Sequence, residues 1–76
     1  MNNTRRKQID KAIAILNSAN ELIEEIRSDE ECYMDNMPEN LQGSVRYSDA
    51  EEACGHLEDA ISWVESAIED LESAKM

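Results

Sequence analysis

The stretch Asp35-Asn36-Met37-Pro38-Glu39-Asn40-Leu41-Gln42-Gly43-Ser44-Val45-Arg46-Tyr47 carries the only proline of the chain and one of its two glycines, and it separates two long segments of helical periodicity. The rest of the chain is arranged around it. Asn36 and Glu39 have the spacing of a capping box, and Pro38 falls in a first helical turn, where its missing N–H costs nothing. The stretch therefore predicts a short capped turn through Leu41, with Gly43 as the left-handed residue that ends it. Ser44 and Ser48 compete to cap the following helix, and Ser48 is the better candidate because Glu51 completes Ser-x-x-Glu.

The preceding segment predicts a helix over about 4–34, capped at Asn2, Asn3 or Thr4. Ile9, Ala12, Leu16, Ala19, Ile23, Ile26, Glu30, Tyr33 and Met37 alternate at spacings of three and four, a heptad seam with one charged interruption. Ile15 and Leu22 form a second apolar edge, roughly 120° from the centre of the seam. The following segment predicts a helix over about 48–75, with Ala50, Cys54, Leu57, Ile61, Val64, Ile68 and Leu71 as its seam. Ala53, Ala60, Ala67 and Ala74, seven apart, flank that seam, and Trp63 lies beyond them. Gly55, which costs up to about 1 kcal/mol relative to alanine inside a helix, marks a candidate close approach by a neighbouring backbone.

Residues 35–47 thus connect two helices of one small domain spanning 1–76. The expected fold is all-α, an antiparallel hairpin. A single hairpin of 76 residues has a marginal core, and neither helix covers its lateral edge, so assembly into a four-helix bundle or larger homo-oligomer is expected. Ile15, Leu22, Ala60, Trp63 and Ala67 are the candidate interface residues, with Trp63 as anchor.

The 18 acidic and 7 basic side chains leave a net charge of −11, which repels phosphate backbones and anionic lipid. Direct nucleic-acid and membrane binding are disfavoured on that ground. No window approaches the roughly 18 apolar residues of a membrane span, and the basic start is not followed by a signal-peptide core, so a cytoplasmic protein is expected. Cys54 falls on its seam while Cys32 lies roughly 140° from its own, which favours free thiols over a disulfide.

Nothing in the chain assembles into catalytic chemistry. His56, the only histidine, lies about 200° round the helix from Cys54, which prevents a shared metal or a nucleophile–base pair within one chain. The Glu-x-x-His signature of di-metal bundles is absent. No enzyme activity, metal or cofactor is therefore expected.

Charge position is more informative. Arg5, Arg6, Lys7 and Lys11 crowd the start of the first helix and Glu24, Glu25, Asp29, Glu30 and Glu31 its end, both against the helix macrodipole. One reading has Glu65, Glu69, Asp70 and Glu72 returning alongside the basic start. The sharper one is an anion site: Arg5 and Arg6, completed by Arg46 and Tyr47 from the connector of an antiparallel partner. Asn36, Asn40, Gln42 and Ser44 would supply hydrogen bonds to a base or ribose.

The Arg-Arg-Lys start, the Asp-Asn-Met-Pro-Glu-Asn-Leu-Gln-Gly-Ser connector and the acidic, alanine-rich closing helix resemble a family of small uncharacterised helical-hairpin accessory proteins of bacteriophages and prophages, mostly of Gram-positive bacteria. The resemblance implies an anti-defence role in the infected host. Two mechanisms fit the residues: sequestration of a nucleotide immune signal in an oligomeric bundle, or an acidic surface acting as a nucleic-acid mimic that inhibits a host defence protein. A structural adaptor bundle, binding another helix through Ile15, Leu22 and Trp63, is the third.

Overall fold

A computed structural model describes all 76 residues: helix α1 over Asn3–Asp35, a 3-10 turn over Glu39–Leu41 and helix α2 over Val45–Ala74. The two helices pack antiparallel as a hairpin. Asn2 is the cap of α1; its backbone is extended and its Oδ1 accepts the N–H of Arg5 at 2.8 Å. At the other end, Asn36 donates its N–H to the Cys32 carbonyl at 3.0 Å and closes the helix. Pro38 then forces its predecessor out of helical conformation, so the chain must turn.

The connector folds by a different pattern from the capping box. Asn36 is consumed in ending α1, and Pro38 (φ −57°, ψ 146°) precedes the 3-10 turn instead of sitting in it. No glycine has positive φ, so Gly43 is not a left-handed terminator; the turn closes through the Ser44 N–H to the Leu41 carbonyl at 3.0 Å. Ser44, not Ser48, caps α2: its backbone is extended and its Oγ accepts the Tyr47 N–H at 3.3 Å. Ser48 is already helical and donates to the Ser44 carbonyl. Arg46 and Tyr47 consequently belong to the first turn of α2, where a rigid helix holds them, and not to the connector.

Along α2 the seam runs as its heptads predict, with Ala50, Cys54 and Ile61 buried and Leu57, Val64, Ile68 and Leu71 half-buried. Along α1 it rotates. Ile9, Leu16, Ile23 and Met37 face the partner helix, but the places expected for Ile26 and Tyr33 are taken by Arg27 and Met34, just as Ile13 and Asn20 share the inner face with Ala12 and Ala19. A straight helix drifts about 20° per heptad against a strict seven-residue repeat, so positions three residues on slide outward and positions four residues on slide in. Ile26 and Tyr33 are left 45% exposed. Asn20 enters the seam at a cost: its Nδ2 reaches the Ile61 carbonyl at 3.4 Å, while its buried Oδ1 has no partner.

The hairpin measures 59 × 15 × 11 Å, with a radius of gyration of 17.4 Å, against about 11 Å for a compact domain of this length. Only five residues are buried. The accessible surface of 5711 Å² exceeds by about 1,000 Å² what a globular chain of this mass exposes. A β-carbon at Gly55 would meet open space, so that glycine serves no close approach and its helix cost stands. The cap assignment predicts that Ser44→Ala lowers the unfolding free energy by about 1 kcal/mol, whereas Ser48→Ala stays within about 0.5 kcal/mol of the parent. Urea unfolding followed by circular dichroism checks both.

Candidate functional site

Where α1 gives way to the connector, Tyr33, Asn36, Met37, Pro38, Leu41, Ser44 and Arg46 line a cleft of about 470 Å³. That volume is within the usual range for small-molecule sites, and the wall is mainly apolar. Each lining residue has a local cause. The drift of the α1 seam turns Tyr33 outward, Pro38 holds the chain extended after Met37, and the Ser44 cap starts α2 early enough to place Arg46 on the rim. Met37 is buried and forms the floor.

Arg46 is the distinctive group. It is exposed, forms no ion pair and makes no side-chain hydrogen bond, although the chain holds 18 carboxylates. Glu30 and Asp49 line a shallower recess that shares Tyr33 and Arg46, yet neither is paired with the guanidinium.

The other expected ligand-binding residues are distributed differently. Asn36 and Ser44 reach the cleft, but the Ser44 Oγ is engaged in capping and also lies 4.0 Å from the Met37 sulfur. Gln42 turns back to the Met37 carbonyl, Asn40 is exposed outside the cleft, and Tyr47 is half-buried. Tyr33, Met37, Pro38 and Leu41 were not foreseen as lining. The drift arithmetic that moves Tyr33 off the seam was the available signal.

Arg5 and Arg6 sit at the far end of the hairpin. Arg6 donates from Nε to the Lys75 carbonyl and from Nη2 to the Met76 carbonyl, both at 2.8 Å, and from Nη1 to Asn3. The return of α2 therefore answers Arg6 with the carbonyl-rich, negative end of a helix, and none of Glu65, Glu69, Asp70 and Glu72 pairs with the basic start. Lys75 adds an ion pair to Asp10 at 2.7 Å, which with Glu72 raises its pKa. The guanidinium of Arg5 has no partner.

At mid-hairpin, Arg27 holds Glu31 at 2.8 Å and Glu58 at 3.9 Å across the seam. His56 is exposed and touches only Glu52, at 4.0 Å. No group of three or more histidine, cysteine, aspartate or glutamate side chains converges. No helix is long and apolar enough to cross a membrane.

No family model matches the chain, and no curated protein or solved structure is similar to it.

The two thiols make a direct check. Cys32 is exposed and Cys54 buried, and burial, reinforced by Glu31, Glu30 and Glu58, pushes the Cys54 thiol above its ordinary value. The folded state thus favours the neutral thiol; this stabilisation is intact below the ordinary value of roughly 8.5 and is lost as pH rises through the raised one. One thiol should react rapidly with a disulfide reagent and the second only on unfolding, and alkaline pH should lower the melting temperature less in Cys54→Ala than in the parent.

Proposed function

We propose that the chain is a non-catalytic binding protein that takes up a small phosphorylated ligand of the nucleotide class and withholds it, acting as a bundle of more than one copy. The observation that carries this reading is Arg46: an uncommitted guanidinium on the rim of an apolar cleft, beside an exposed tyrosine ring. Arginine offers two parallel N–H groups to a phosphate, and Tyr33 offers a face to a planar base. Under the resemblance to phage accessory proteins, the setting would be the cytoplasm of an infected bacterium and the ligand a defence signal.

A single chain is a poor anion trap. The residues around the cleft are strongly acidic, and an approaching phosphate meets that field before it meets Arg46. The proposal therefore needs the basic end of another copy near the cleft. A second reading, an inhibitor presenting carboxylates to a basic protein, is favoured by a separate feature: Glu31, Glu51, Glu58, Glu65 and Glu69 share one side of the hairpin.

Thermal-shift and calorimetric titration with pyrophosphate, AMP and ATP tests the first reading. The protein should be stabilised by at least one of them, and Arg46→Ala should weaken binding by about ten- to hundredfold with helix content unchanged. Equal binding by Arg46→Ala, or no response to any phosphate compound, contradicts it.

A further inference from the structure

The hairpin has two unlike sides. On α1, Ile15, Leu22, Ile26 and Tyr33 lie within roughly 20° of a single line along the helix, and all four are exposed, by 61%, 58%, 45% and 45%. On α2 the half-buried Ala53, Ala60 and Ala67 follow the seam, and Trp63, 74% exposed, stands at the outer margin. Each of these edges is displaced from its own seam by roughly a quarter to a third of a turn in the same rotational sense. Because the helices run antiparallel, equal senses place both edges on the same side of the hairpin. The Asn20–Ile61 and Arg27–Glu58 contacts set the register, which brings Trp63 level with Leu22 near the middle of the molecule. The opposite side carries Glu31, Glu51, Glu58, Glu65 and Glu69.

Charge divides the molecule along its length as sharply as apolarity divides it across. In the half that holds the chain ends, Arg5, Arg6, Lys7, Lys11 and Lys75 balance Asp10, Glu65, Glu69, Asp70 and Glu72. The half that holds the connector has only Arg27 and Arg46 against twelve carboxylates, with Glu21 at the midline, and so contains nearly all of the net charge of −11.

We infer that the apolar side is covered by the same side of a second copy, packed head to tail. The excess surface of about 1,000 Å² is what a standard interface requires, near 800 Å² per partner. Side-by-side packing with connectors together would set the two acidic halves against each other. Head-to-tail packing sets each acidic half against a half bearing five basic side chains, with Lys11, at the end of the apolar line, directed toward the acidic end of the other copy's α1. A two-fold axis across the hairpin near Leu22 then crosses α1 on α1 and α2 on α2, with the two Trp63 rings close to the axis. The basic start of each chain arrives beside the connector cleft of the other, so the cleft is incomplete in one copy. This pairing does not depend on the ligand reading, although that reading depends on it.

The test is one distance in the ligand-free protein. Gly43 has open space around its β-carbon and no positive φ, so Gly43→Cys in a Cys32→Ser background carries a spin label at the connector without disturbing a contact. Head-to-tail packing predicts a label separation near the 59 Å length of the hairpin. Packing with connectors together predicts less than about 25 Å, given helix axes 8–10 Å apart, and overturns the orientation. A chain that sediments as a monomer at micromolar concentration overturns the inference entirely. Leu22→Glu with Ile26→Glu should weaken association at least hundredfold, while Glu58→Gln on the opposite side leaves it unchanged; equal effects would remove this face as the contact. Because the distance is read on an intact apolar face, unfolding of the Leu22 variant would not decide the matter.

Discussion

Two straight helices can bury only one stripe each against the other, and nearly every feature of this protein follows from that constraint. The stripe must follow the 3.6-residue period of an uncoiled helix, while the apolar residues of α1 repeat every seven. Over four heptads the mismatch carries Ile26 and Tyr33 out of the seam and brings Arg27 and Met34 in. The displaced residues join Ile15 and Leu22 in an exposed apolar line, and the outward turn of Tyr33 supplies one wall of the connector cleft. A flaw in the intramolecular seam thereby creates both candidate functional surfaces.

Electrostatics reinforces the same geometry. A basic helix start and an acidic helix end are each unfavourable within α1, but the antiparallel return of α2 offers carbonyls to the first and N–H groups to the second. Arg6 uses this directly by bonding the Lys75 and Met76 carbonyls. The remaining imbalance, concentrated in the connector half, is not relieved within one chain, since Arg27 already spans the seam and Arg46 pairs with neither Glu30 nor Asp49 although it shares a recess with both. In the proposed pairing, a second hairpin in the reverse direction would relieve it.

The helical hairpin and the α2 seam were legible from heptad spacing, and a short turn through Leu41 from the proline-bearing connector, although the capping box read at Asn36 and Glu39 does not form. The connector detail was less so. Capping signatures overlap between Asn36 and Pro38 and again between Ser44 and Ser48, and the choice at each falls to how many backbone groups the whole turn can satisfy. Arg46 was read from the sequence as a connector residue completing an anion site with Arg5 and Arg6; its place in the first turn of α2, beside the cleft, was not legible, because that depends on where α2 begins. The engagement of Arg6 with backbone carbonyls had no sequence signal, since carbonyls are anonymous in sequence. Asn20 inside the seam follows from the same drift that moved Tyr33.

In the proposed pairing, one chain is half of a folded unit. A protein stabilised by pairing has a melting temperature that depends on its concentration, since dissociation is part of unfolding. Thermal unfolding followed by circular dichroism from submicromolar to high micromolar concentration, beside sedimentation equilibrium on the same samples, measures this directly. The account predicts a dimer mass, or a multiple of it, and a melting temperature that rises steadily with concentration. A monomer mass of 8.6 kDa with a melting temperature independent of concentration would contradict it.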